Sequence, residues 1–199
     1  MNESPTFVLP KVPTRIWDLD VPIVADAEAN TATAYITGPI SEPKDYNELC
    51  YMLSTAQEST RFTLHINTPG GIIDSAFMIV AAIRKSKAQI VGALSGTVAS
   101  AGTLIAMACD ELVVTDHLSF MIHNYSGGMA GKGHEMKARQ KFIDSHLNEA
   151  FKSFYGGFLS ADEIERVIEG TDLWMGSSEV VDRWHKRSRL ALARAVTAA

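Results

Sequence analysis

The strongest constraint on the fold is an alternation of short apolar runs with segments of helical period. Residues 32–37, 62–67, 90–94, 112–115 and 120–122 have strand length and are rich in β-branched and aliphatic side chains. Between them lie helical patterns. One runs from Asp45 through Leu49, Met52 and Leu53; another places Ile72, Ile73, Ala76, Phe77, Val80 and Ile83 on one face. Residues 101–108 read as a buried helix and 134–154 as a long one, with Met136, Ile143, Leu147, Ala150 and Phe154 on one side. Ser160 and Glu163 form a capping box for a further helix that Gly170 ends, and Ser177 opens the last. Strands alternating with helices imply an α/β fold with a mostly parallel sheet and surrounding helices.

Composition bounds the rest. The chain has 199 residues, within the range of one domain, and 46% hydrophobic residues supply a sizeable core. Eighteen basic against 23 acidic side chains give a net charge of −5, which argues against a nucleic-acid partner. Cys50 and Cys109 are too few for a disulfide scaffold or a cysteine-only zinc site, and read as reduced thiols of a cytoplasmic protein. The most apolar stretches, 72–83 and 104–109, are interrupted or short, so no membrane span is expected. Prolines punctuate residues 1–31, which read as a loosely ordered segment. Residues 32–182 form the domain proper. A basic helical tail follows at 183–199, with Arg183, Lys186, Arg187, Arg189 and Arg194, and reads as solvated.

Two strand-to-helix junctions carry the chemistry-bearing residues. In Ile66-Asn67-Thr68-Pro69-Gly70-Gly71, paired glycines let a backbone N–H approach a ligand closely; a tight turn is the plainer reading. In Gly96-Thr97-Val98-Ala99-Ser100-Ala101-Gly102, a small-residue turn hands over to an apolar helix. Ser100 there suits either a helix N-cap or an accessible nucleophile beside helix N–H groups that can hold an oxyanion. A serine nucleophile needs a base. Among six histidines, His123 stands at the end of an apolar strand, on the sheet rim where α/β folds bind ligands. His65 lies within a strand, and His134 and His146 read as solvated helix-surface residues. Asp172, between two helices, is an attractive orienting carboxylate that spacing alone does not select.

Taken in order and approximate spacing, these motifs and Met121-Ile122-His123 resemble those of Clp protease proteolytic subunits, from about Thr33 to about Val181. The resemblance implies a crotonase-like α/β fold and a serine endopeptidase whose subunits form heptameric rings, often stacked, that work with an AAA+ unfoldase. By motif, Ser100 corresponds to the nucleophile, His123 to the general base and acid, and Asp172 to the third triad member. Gly71 and Ala101 correspond to the oxyanion donors. Gly127 and Gly128 open the strand that pairs with substrate peptide and contributes ring contacts. No metal or organic cofactor is implied.

The chain also departs from the pattern. Asn124-Tyr125 replaces the usual Gln-Pro, and Gly170-Thr171 replaces an Asp-Arg pair linked to stacking. The stretch between Gly128 and Arg139 is shorter than in the family, and Arg183-Trp184-His185-Lys186 stands where a Gly-Leu-Ile-Asp strand start is usual. Unfoldase-docking positions that are often aromatic are Thr63, His65 and Val113, so weakened docking is expected. These features leave open a phage-type capsid-maturation protease of the same fold, and a poorly active ring subunit that needs a paralogue or ATPase. Crotonase relatives acting on acyl-thioesters are a more distant alternative.

Overall fold

The computed structural model describes residues 21–198. Strand β1 (Ile23–Asp26) turns into β2 (Thr31–Thr37); α1 (Asn47–Thr55) leads to β3 (Arg61–Thr68), α2 (Ile73–Lys85) and β4 (Gln89–Ala99). Then come α3 (Ala101–Ala108), β5 (Glu111–Val114), β6 (Ser119–Ile122), α4 (Gly133–Tyr155), α5 (Ala161–Ile168), β7 (Leu173–Met175) and α6 (Ser177–Ala198). The sheet order is β1-β2-β3-β4-β6-β7, with β5 pairing on β4. Neighbours from β2 to β6 pair in parallel, and the outer pairs β1/β2 and β6/β7 are antiparallel. The expected α/β architecture with a mostly parallel sheet is thus observed.

Alternation along β2 and β3 sorts side chains to two faces. Ala34, Ile36, Phe62, Leu64 and Ile66 point inward, essentially inaccessible, with Ile79, Leu94, Leu104, Ile105 and Phe120 in the same core. Full burial of each large aliphatic or aromatic side chain contributes about 1.5–3 kcal/mol. The opposite face is open. There the register sets Tyr35, His65, Ala93 and Val113 in one row across four strands.

Strand β4 forks, and the fork positions the site. Its first half pairs with β5 through Val91–Leu94, and its end, Thr97–Ala99, pairs with β6. Between them Gly96 adopts φ +61°, where an added Cβ would lie 2.9 Å from Asn67 Oδ1. That same oxygen accepts the Thr97 N–H at 3.2 Å. The stretch 96–100, expected as a turn, is therefore mostly strand that bends at one glycine and carries Ser100 to the sheet rim.

Three further expectations change. Strand β1 lies inside the segment read as loosely ordered, because its backbone pairs with β2 from Ile23↔Ala34 to Asp26↔Thr31; residues 1–20 lie outside the described residues. Strand β7 occupies what reads as a simple helix connection. The boundary drawn after residue 182 falls within the continuous helix α6. Its basic residues are not uniformly solvated. Arg183 makes a bidentate pair with Glu163, at 2.7 and 3.0 Å, and also meets Glu179. Arg187 donates to Met107 O at 3.1 Å. The side chain of Arg194 lies outside the described residues. Among the described residues, no helix is long and apolar enough to cross a membrane.

Candidate active site

The first junction, β3 to α2, is squeezed between two neighbours. Ile40 N donates to Gly70 O at 2.8 Å, and Ile72 N donates to Ile40 O at 3.0 Å. These bonds flank Gly71 and leave its own N–H on the opposite side of the chain. Gly70 and Gly71 adopt φ +95° and +151°. A Cβ on Gly71 would lie 2.2 Å from Ile40 O, and one on Gly70 would lie 2.6 Å from Ser100 Cβ and 3.1 Å from Ala101 N. Glycine is required twice, by conformation and by space.

The second junction, β4 to α3, bends at Ser100. Its φ of 54° and ψ of −127° lie in a region non-glycine residues rarely adopt, at a cost of about 1–3 kcal/mol. The N-cap reading fails, because the Ser100 side chain makes no capping bond. Backbone bonds hold the bend instead. Ser100 N donates to Met121 O at 2.9 Å. Ser100 O accepts Thr103 N at 2.9 Å and Thr103 Oγ1 at 2.7 Å. The fully buried Thr103 hydroxyl also meets Tyr155 Oη at 2.6 Å. Burial pushes the Tyr155 phenol far above its ordinary pKa, so it stays a neutral strut. Ala101 is the first residue of α3, where an N–H has no intrahelical acceptor.

The sheet register brings in the other two residues. Strand β6 lies beside the end of β4 with Ala99↔Met121 paired. It also pairs antiparallel with β7, with Ile122↔Leu173 the last rung. His123 directly follows β6 and Asp172 directly precedes β7, so the two lie at the same end of this antiparallel pair. Ser100, His123 and Asp172 thus gather at one end of three adjacent strands. Among the described residues, no hydrogen bond joins Ser100 to His123 or His123 to Asp172 in this conformation. Such bonds often tighten only when substrate is bound.

A cleft of about 840 Å³ opens over this rim. Its wall includes Ser100, Ala101, Gly71, His123, Gly127 and Gly128; Asp172 is not on it. Helix α4 closes the far side, and Phe77, Leu104, Leu147 and Phe151 make its floor largely apolar. His146, read from sequence as a solvated surface residue, also lines the cleft; its ring stacks on Phe142 and meets Phe77 edge-on. Tyr125 and Arg139 are likewise on the wall. The spacing of Phe77 and Leu147 on their helices marked core faces, and only the tertiary fold shows that those faces border a cleft.

The open sheet face carries Thr63, His65 and Val113, the last 47% exposed. His65 is covered by Tyr35 of the neighbouring strand, their rings stacked at 4.7 Å. An aromatic ring therefore stands in this row, supplied by β2. Cys50 and Cys109 lie off the cleft; burial pushes the Cys50 thiol up to about 11 and the Cys109 thiol higher still.

A family model described as Clp protease matches residues 29–183, from the β1–β2 turn into α6, and so includes every residue named above for the rim. The chain belongs to the Clp protease family. It is 26% identical over 178 residues to the ATP-dependent Clp protease proteolytic subunit 3 of Rhizobium etli, covering 82% of this chain and 87% of the relative. It is 29% identical over 154 residues to proteolytic subunit 2 of Pseudomonas aeruginosa, covering 74% and 75%. The proteolytic subunit of Streptococcus gordonii is 31% identical over 156 residues, covering 73% and 78%. The mostly parallel sheet with flanking helices is the fold expected of a Clp proteolytic subunit, and at these identities the chain is a divergent member.

Proposed function

We propose that this Clp-family chain is a serine endopeptidase in which Ser100 is the nucleophile, His123 the general base and acid, and Asp172 the orienting carboxylate. The observation that carries this reading is the backbone of Ser100. A serine held at positive φ, with no capping bond to justify it, keeps a hydroxyl at the cleft wall where glycine would fold more easily.

In this mechanism His123 takes the Ser100 proton as Oγ attacks a peptide carbonyl carbon. The carbonyl π electrons move to oxygen, and the N–H groups of Gly71 and Ala101 stabilise that oxyanion. Its collapse breaks the C–N bond, and His123 gives its proton to the leaving amine. Water, deprotonated by His123, then attacks the acyl-enzyme and restores the Ser100 hydroxyl. Asp172 holds the imidazole tautomer and stabilises its cation. Gly127 and Gly128 offer backbone to an extended peptide, and the apolar floor receives its side chains. Loss of hydrolysis of a fluorogenic peptide in Ser100→Ala, with folding intact by circular dichroism, is the expected outcome. Unchanged hydrolysis contradicts the assignment.

The assembled enzyme is a cytoplasmic heptameric ring, singly or in stacked pairs, which solution mass measurement checks. A standard Clp unfoldase binds it weakly, because Thr63 and Val113 offer little aromatic surface; tight binding in a pull-down contradicts this. A second reading is a ring subunit that idles until a paralogue or ATPase joins it. The lack of a hydrogen bond between Ser100 and His123 among the described residues favours it, and a gain of hydrolysis on adding the partner distinguishes it.

A further inference from the structure

The two residues after His123 are both tied down by their side chains. Asn124 Nδ2 donates to Ile168 O at the end of α5 at 2.7 Å, and Asn124 Oδ1 accepts Tyr125 N at 2.8 Å. The Tyr125 hydroxyl donates to Asp144 Oδ1 on α4, and Gln140 Nε2 donates to the Tyr125 oxygen. Gln140 Nε2 also donates to Asp144 Oδ1 at 2.8 Å, one helical turn away. Ser126, Gly127 and Gly128 then run along the cleft wall outside any helix or strand. Added Cβ atoms at Gly127 and Gly128 would meet nothing within 4 Å. The segment has little packing of its own, so its place is set by the side chains at its start.

We propose that Tyr125, clasped by Asp144 and Gln140 of α4, is a positioning residue that holds the Ser126–Gly128 wall in place and sets peptide affinity without entering the chemical step. This rests on reading the cleft as a peptide site. The Asp144 carboxylate accepting this hydrogen bond also raises the Tyr125 pKa.

The test measures binding of a dye-labelled peptide of small and apolar residues by fluorescence anisotropy, in a Ser100→Ala background. Amide exchange at residues 126–129 is followed alongside. Tyr125→Phe and Asp144→Ala are each expected to weaken binding about three- to tenfold, the range for losing one ordinary hydrogen bond open to water. Both should speed exchange in that segment, and the double variant should be no worse than either. Asp144→Asn, which keeps the accepting oxygen, should stay within about twofold of the parent. With Ser100 restored, labelling of the parent protein by a serine-reactive phosphonate reads the triad separately from the clasp. Unchanged affinity, no measurable binding, or unchanged exchange overturns the proposal. Absent labelling of Ser100 with binding still dependent on Tyr125 overturns the triad reading and leaves the clasp standing.

Discussion

The two strand-to-helix junctions solve the same geometric problem with different residues. Both bend the chain sharply at positive φ beneath the cleft. At β3–α2 the bend is made by Gly70 and Gly71, because a side chain would strike Ile40 or Ser100. At β4–α3 it is made by Ser100, where a side chain has room but the backbone is strained. Glycine at the first junction is explained by folding alone. Serine at the second is not, since it opposes backbone preference and caps nothing. The difference separates a residue that space explains from one that folding alone does not.

Substitution at Ser100 breaks the comparison most sharply. Ser100→Ala should lower peptide hydrolysis about 10,000-fold or more, as loss of a triad nucleophile does. Ser100→Gly should be equally inactive yet more stable by about 1 kcal/mol, read as a higher denaturation midpoint, because glycine relieves the positive φ. Gly70→Ala tests the other junction. Its Cβ would meet Ser100 Cβ at 2.6 Å and Ala99 O at 2.8 Å. Stability should fall by about 3 kcal/mol, and residual activity by about 100–1,000-fold as the neighbouring oxyanion donors shift. A Gly70→Ala protein of full activity would show that the junctions are not coupled.

The support beneath Ser100 gives a smaller effect. Thr103→Val removes the hydroxyl between Ser100 O and Tyr155 and strands a buried phenol. Chemical denaturation should show a loss of about 1–3 kcal/mol. The smallest effect lies far from the rim, where no strain is stored. Arg183 bonding holds Glu163 down to about 2 from its ordinary 4.5. A carboxylate depressed in the folded state stabilises fully above 4.5, and that share is lost as pH falls towards 2. Glu163→Gln should remove about 1 kcal/mol measured at pH 6 and flatten the acid limb of stability.

Much of the scaffold was legible because it follows local rules. The apolar runs of β3 and β6, the periodic face of α2 and the Ser160–Glu163 capping box all appear as read. The cap is present in both directions. Strand β7 was missed because three residues show no alternation, and its pairing to β6 is long-range. Residues 96–100 were misread because small residues signal a turn, whereas residues 96–99 are strand, bent at Gly96 and continued by pairing with β6, and the turn into α3 falls on Ser100. Arg183 looked solvated because its partner Glu163 lies on another helix. In the candidate site, Ser100 and His123 stood out at strand ends. Asp172 had no local signal, and only the antiparallel β6–β7 pairing brings it to the same end of the sheet as His123. The walls formed by His146 and Tyr125 needed the packing of α4 over the rim.

Active-site labelling addresses the catalytic centre most directly. The intact protein is treated with a peptidyl phosphonate and the modified residue is located by peptide mass analysis. A Ser-His-Asp centre on this rim gives one adduct, at Ser100, slowed sharply in His123→Ala. An adduct on another serine, or undiminished labelling of Ser100 without His123, contradicts it.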